Sequence, residues 1–169
     1  MSFPAGSIEF LTVSVEFCRF VENAREMESS DLKTKLQRLL SLLYFKALMV
    51  DLPDFNPHED DEYEVDDFID EFAYNNVHSS LHDILGDCDG YVALAPENND
   101  IYDGDTAAFT VSEDIADVYQ SIGNFAYAAK QGDEDLMIEA LRKCIADFRF
   151  YWGARLLSAL TALHKTIAN

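Results

Sequence analysis

The residues with chemistry to offer are four histidines, three cysteines and a dense set of carboxylates. His78 and His82 stand four apart, so on a helix they project from the same side, near Glu71 and Asn75. That is the geometry of a two-histidine metal site. The glutamate that follows the first histidine in HExxH is absent, because Ser79 stands there. Both imidazoles also fall opposite the apolar side of their helix. His78 and His82 are therefore read as solvent-facing, and neither a metal nor a cofactor is expected.

Asp87-Cys88-Asp89-Gly90 resembles part of a calcium loop. With Gly90 at the turn position, Leu85 and Pro96 occupy the first and last ligand positions, where carboxylates are needed. Asp103-Gly104-Asp105 fails in the same way, with Ile101 at a ligand position. An adventitious divalent-cation site in this stretch is what remains. Ser-His-Asp and Cys-His sets can be assembled by choice, but no spacing singles one out. Neither GxGxxG nor a P-loop occurs.

Arg155 falls on an otherwise apolar arc with Cys144, Phe148, Tyr151 and Ala159. A guanidinium placed there needs a carboxylate or several carbonyls. Asp114, Asp117 and Glu16 are the candidates, and Arg155 is read as a buried structural charge. The functional alternative is an anion-binding arginine in a pocket.

Charge is the most unusual property. The chain carries 32 acids against 12 bases, a net charge of −20. From Ala47 to Ala129 there are 21 acids and no Lys or Arg. The run His58 to Glu71 alone holds nine carboxylates. Glu59, Asp60, Asp61, Glu62, Asp66 and Asp67 are the candidate contacts for a basic protein partner. The competing reading is a solvated face. Direct nucleic-acid binding is disfavoured, since no basic stripe is present to neutralise phosphates.

The elements that must position these residues are helical. A stripe of apolar residues at three- and four-residue spacing predicts one helix from Asp133 to Ile167, about 50 Å long if unbroken. At its middle lies Phe148-Arg149-Phe150-Tyr151-Trp152-Gly153-Ala154-Arg155, with the single tryptophan. Gly153 in mid-helix calls for close approach of another helix, or for a kink. Ser7 caps a first helix, Ile8 to Met27, apolar over more than half its circumference. A second runs from Ser30 or Asp31 to Val50 and reads as the central buried helix. It ends before Pro53, and Pro57 keeps the following loop from resuming a helix. A third spans Asp66 to Leu85, with Phe72, Val77 and Leu81 among its core residues. Gly86 to Phe109 is irregular, with Tyr91-Val92-Ala93-Leu94 as a short extended piece. Thr110-Val111-Ser112-Glu113 has capping-box spacing and opens a fourth helix to Lys130.

Cys18, Cys88 and Cys144 are odd in number and far apart, which reads as reduced thiols in a cytoplasmic protein. The first residues lack the basic region of a signal peptide, and no apolar run is long enough to span a membrane.

Ser112-Glu113-Asp114-Ile115-Ala116-Asp117-Val118-Tyr119-Gln120, together with Tyr151-Trp152-Gly153-Ala154-Arg155-Leu156 through Ala162-Leu163-His164, resembles a bacterial family described as domain of unknown function 5063. Glu9-Phe10-Leu11-Thr12-Val13 and Leu39-Leu40-Ser41-Leu42-Leu43-Tyr44 are similar to it as well. The resemblance implies an all-α domain and no particular activity. The expectation is a single all-α domain over residues 1–169, a bundle of about five helices with a long acidic loop before the fourth. Its function is read as a non-enzymatic acidic interaction module for a basic partner. The alternatives are an enzyme or metal-binding protein with a hidden site, and a nucleic-acid mimic.

Overall fold

The computed structural model describes residues 3–94 and 106–167. Among them the chain is mostly helical. Its elements are α1 (Ser7–Glu22), α2 (Ser29–Leu48), the short α3 (Pro57–Asp60), α4 (Glu71–Leu85), strands β1 (Gly90–Leu94) and β2 (Thr106–Thr110), α5 (Val111–Ala129), α6 (Glu134–Asp147) and α7 (Gly153–Ile167). No helix among the described residues is long and apolar enough to cross a membrane.

The helices start where side chains can satisfy their first amides. Asp70 accepts from Ala73 N at 2.8 Å, Thr110 Oγ1 from Glu113 N at 3.3 Å, and Asp133 from Asp135 N and Leu136 N at 3.0 and 3.2 Å. Capping by Asp70 starts α4 five residues later than the pattern around Asp66 predicts. The helix then turns Val77, Leu81 and Leu85 inward, and Phe72 is 74% exposed rather than core. Pro57 does not exclude a helix; it sits at the first position of α3, where its missing N–H costs nothing, and Asn56 caps that turn.

The central helix is α5, not α2. Thirteen of the nineteen residues of α5 are buried, against five of the twenty in α2. α5 packs on α1, α4, α6 and α7, whereas α2 meets chiefly α1 and α7. The Leu32, Leu36, Leu40 and Leu43 stripe of α2 faces inward, while Leu42, Phe45, Leu48 and Met49 face outward. An apolar run without a neighbour on its second side stays exposed, however continuous it is in sequence.

The C-terminal helix does not run uniformly. Phe148–Trp152 forms a π-helical turn between α6 and α7, and Gly153 N donates to Phe148 O across it. A Cβ at Gly153 would collide with that same carbonyl. The glycine thus serves the widened turn of its own helix, in place of the expected approach by another. Inside this turn Trp152 is fully buried, donating from Nε1 to the Cys144 carbonyl at 2.9 Å. Phe10 stacks between Trp152 and Phe125, with ring centroids 6.3 and 5.4 Å away, tying α1, α5 and the turn into one core.

Tyr91 to Leu94 is extended and belongs to β1. It pairs antiparallel with β2, with Tyr91 opposite Phe109 and Leu94 opposite Thr106. The hairpin lies across the start of α5, where Val111 N donates to Asp89 O at 2.9 Å.

Candidate functional site

Asp114 and Asp117 stand three apart near the start of α5, so both carboxylates project from one face of that helix. Arg155, in the first turn of α7, reaches both. Its Nη1 lies 3.6 Å from Asp114 Oδ1 and 3.8 Å from Asp117 Oδ2, and its guanidinium carbon sits 5.4 Å from the centre of the Tyr151 ring. Each carboxylate also accepts from a tyrosine. Tyr74 Oη donates to Asp117 Oδ1 at 2.7 Å, and Tyr91 Oη donates to Asp114 Oδ2. Burial pushes the Asp114 carboxyl up to about 6, opposed by the hydrogen bond from Tyr91 and by the Arg155 charge. A cavity of about 290 Å³ opens above this network. Leu94 and Phe109 of the hairpin wall one side; Phe150, Ala154 and Ser158 wall the other.

The acidic run makes a second constellation. Asp60 is buried and accepts Arg142 Nε on Oδ1 at 2.9 Å and Arg142 Nη2 on Oδ2 at 3.1 Å. The same guanidinium donates to the Pro53 and Asp54 carbonyls at 3.0 and 3.1 Å. Next to it, Lys143 Nζ lies 2.8 Å from Asp61 Oδ1 and 3.2 Å from Asp147 Oδ1. Hydrogen bonds from Lys143 and from Asp147 hold the Asp61 carboxyl below its ordinary value. Burial, then the neighbouring Asp61, pushes the Asp147 carboxyl up to about 6, opposed by the Lys143 charge. Further along, Asn124 Oδ1 accepts from Ile69 N at 2.9 Å, and Asn124 Nδ2 lies 3.5 Å from Asp67 Oδ1. Ile69 lies over Gly123 of α5 so closely that a Cβ there would meet its side chain at 2.5 Å. The run therefore crosses from α6 to α5 and is fastened at both ends.

Of the six acidic candidates, Asp60 and Asp61 are taken up by Arg142 and Lys143, whereas Glu59, Glu62, Asp66 and Asp67 are exposed. Asp60 in particular is an internal ion-pair partner and cannot meet another protein. Arg142 and Lys143 carried no sequence signal for this pairing, because 82 residues separate each from its partner. The one local hint was Asn56-Pro57, an N-cap followed by a proline suited to the first helical position.

His78 and His82 do lie on one side of α4, with rings 6.3 Å apart. His78 is half-buried rather than solvent-facing. His82 Nδ1 is 2.7 Å from Asp89 Oδ2, and that hydrogen bond raises its pKa. Asp89, itself buried, also accepts from Ser112 N at 2.7 Å and Ser112 Oγ at 2.6 Å. This brings Ser, Asp and His together in an order unsuited to nucleophilic catalysis. The serine hydroxyl gives its proton to the carboxylate rather than to the imidazole, and Ser112 has no exposed surface. Asp89 instead closes the start of α5. No group of three or more His, Cys, Asp or Glu able to hold a metal occurs among the described residues. Asp103-Gly104-Asp105 lies outside them.

A search of curated proteins finds no match. Among solved structures, a structural-genomics target protein from Bacteroides fragilis has a similar fold, with a TM-score of 0.77 and 30% identity over 94% of this chain and 90% of its own. The model of the family described as domain of unknown function 5063 matches residues 2–169. That match spans nearly the whole chain, and the chain belongs to the domain of unknown function 5063 family.

Proposed function

We propose that this chain is a non-enzymatic interaction module that presents an acidic face to a basic protein partner. The observation that carries this reading is the fastening of the acidic run. A merely solvated charge run needs no fixed path, yet this one is clamped to α6 through Asp60 and Arg142 and to α5 through Asn124 and Gly123. Its remaining carboxylates, Glu59, Glu62, Asp66 and Asp67, are thereby held outward around the exposed Tyr63. A preorganised face loses less entropy on binding than a loose one. An aromatic ring among charges supplies apolar contact area that charge alone does not. Arg142 and Lys143 are engaged by Asp60 and Asp61, and the 83-residue segment brings no Lys or Arg of its own, so the outward carboxylates keep a net negative field, which speeds encounter with a basic surface. The same field repels nucleic acid.

The test is capture from a lysate of the source organism at low and at high salt, with mass-spectrometric identification. The expected outcome is a discrete basic protein retained at physiological salt and released at high salt. Retention only of partners that are acidic or insensitive to salt contradicts the reading.

A further inference from the structure

The cavity between the β-hairpin and α7 is separate from the acidic face, and the exposed charge in its lining is the guanidinium of Arg155. Asp114 also borders it but is 1% exposed; Tyr91 Oη donates to its Oδ2, and Arg155 Nη1 faces its Oδ1. Asp117 is not in the lining. The Arg155 side chain is 26% exposed, and its carboxylate neighbours lie 3.6 and 3.8 Å from Nη1. Those distances balance its charge but exceed hydrogen-bond length, so its N–H groups are not spent on the acids. Among the described residues no buried side-chain nitrogen or oxygen lacks a hydrogen-bond partner, so the unspent donors of Arg155 are accessible, and the cavity is what Arg155 borders. The Tyr151 ring, its centre 5.4 Å from the guanidinium carbon, backs that plane. Ser158, three residues on along the same face of α7, adds a hydroxyl. The walls are aromatic. Tyr91 and Phe109 stack with centroids 5.7 Å apart on the hairpin side, and Phe150, 51% exposed, stands on the other. A planar fork of donors matches the two oxygens of a carboxylate, and aromatic walls suit a flat apolar body. The volume of about 290 Å³ lies at the small end of the range for ligand pockets, so it suits a single ring rather than a nucleotide. The net charge of −20 opposes an anion at long range, but physiological salt screens that field beyond about 8 Å and leaves the contacts to decide.

We infer that this cavity binds a small aromatic monocarboxylate, its carboxylate on the accessible donors of Arg155 and its ring between Phe109 and Phe150. Asp114 and Asp117 do not touch the ligand in this arrangement. They hold the guanidinium in place, and their charge keeps the affinity modest, with a dissociation constant of about 1 mM.

Four probes separate the possibilities. Phenylacetate, the neutral phenylacetamide and the cation 2-phenylethylammonium share a ring and differ in head group, and acetate lacks the ring. Each is titrated into the full chain at constant ionic strength and followed by nuclear magnetic resonance. Phenylacetate is expected to saturate, with shifts at Tyr91, Phe109 and the Arg155 side chain. The amide and acetate are expected to bind several-fold more weakly, and the cation to leave these resonances unmoved. Ala154→Leu, at an exposed position of α7 on the cavity wall, fills the space and keeps every charge. It is expected to weaken phenylacetate by about tenfold or more. Arg155→Lys keeps a cation beside Asp114 and Asp117 but removes the planar fork, and is expected to weaken phenylacetate by about three- to tenfold. Circular dichroism and the melting temperature check that both variants are folded. If Arg155→Lys is not, Ala154→Leu alone carries the test. Larger shifts at these residues with the cation than with phenylacetate would overturn the proposal. So would equal binding of phenylacetate and either weaker probe, the absence of saturation at the solubility limit of phenylacetate, or an unchanged affinity in a folded variant.

Discussion

Gly153 shows how one residue can invert an ordinary rule. Replacing a mid-helix glycine by alanine normally stabilises by up to about 1 kcal/mol. Here the added methyl would collide with the Phe148 carbonyl inside the π-helical turn, so the turn has to rewind. Rewinding would rotate Trp152 out of the place it fills beside Phe10 and Cys144. Gly153→Ala is therefore expected to destabilise, by about 1–3 kcal/mol as for an overpacked core. Urea unfolding followed by Trp152 fluorescence measures this, and a gain in stability would refute it. The sequence made Gly153 conspicuous but not its reason, because a π turn inserts its extra residue without changing the apolar stripe on either side. At the same scale, the tyrosine partners of Asp114 and Asp117 were illegible. Tyr74 and Tyr91 are polar-tipped residues on elements that only tertiary packing brings to α5.

Among the elements, the short helix α3 depends on a single guanidinium. Arg142 contributes hydrogen bonds to Asp60 and to the Pro53 and Asp54 carbonyls, and the pair is largely buried. Breaking a buried pair from one side leaves a carboxylate without its counter-charge, at a cost of about 3–5 kcal/mol. Arg142→Met is expected to lose stability of that order, with the loss concentrated locally. Amide hydrogen exchange of residues 56–63 should accelerate well before that of α5. Uniform acceleration throughout the chain would show that α3 is not a separately anchored unit. The helices themselves were readable because caps such as Thr110 and Asp133 and the stripes they precede lie within a few residues of one another. The rank of the helices was not. α2 has the more continuous apolar run, yet α5 is the centre, because burial depends on how many neighbours arrive and not on the run itself. The strand Thr106–Thr110 was missed for a similar reason. Its alanines carry little strand preference, and its partner β1 lies across the long connection from residue 95.

For the whole molecule, charge sets the pH and salt response. Asp114 and Asp147, both pushed up to about 6, hold protons in the folded chain at pH values where the unfolded chain has released them. Between their ordinary value of 3.8 and about 6 the folded state binds more protons, so stability falls as pH rises through that window. His82, raised by Asp89, acts in the same direction: its contribution is complete below its ordinary value of 6.5 and is lost as pH rises through the folded value. Asp61, held low by Lys143, acts oppositely, but its contribution is lost only below 3.8. The melting temperature is therefore expected to fall as pH rises from about 4 to about 6, and to fall further above about 6.5 as His82 loses its proton. A melting temperature that rises steadily from pH 5 to 8 would contradict this assignment. Added salt should raise the melting temperature at pH 7–8 by screening a net charge of −20 over a Debye length of about 8 Å. That imbalance was plain in the sequence. Which carboxylates are spent inside the molecule was not, since Arg142 and Lys143 lie in the near-neutral C-terminal flank.

The division of the acidic run into inward and outward carboxylates gives the most direct test. The substitutions Glu59→Gln, Glu62→Gln, Asp66→Asn and Asp67→Asn together remove four exposed charges and leave the Asp60–Arg142 and Asp61–Lys143 pairs in place. Capture by this variant and by the parent chain is compared at physiological salt with quantitative mass spectrometry. The account predicts an intact fold, a slightly raised melting temperature and loss of the basic partner. Retention of every partner of the parent chain would contradict it and reduce the acidic face to a solvated surface.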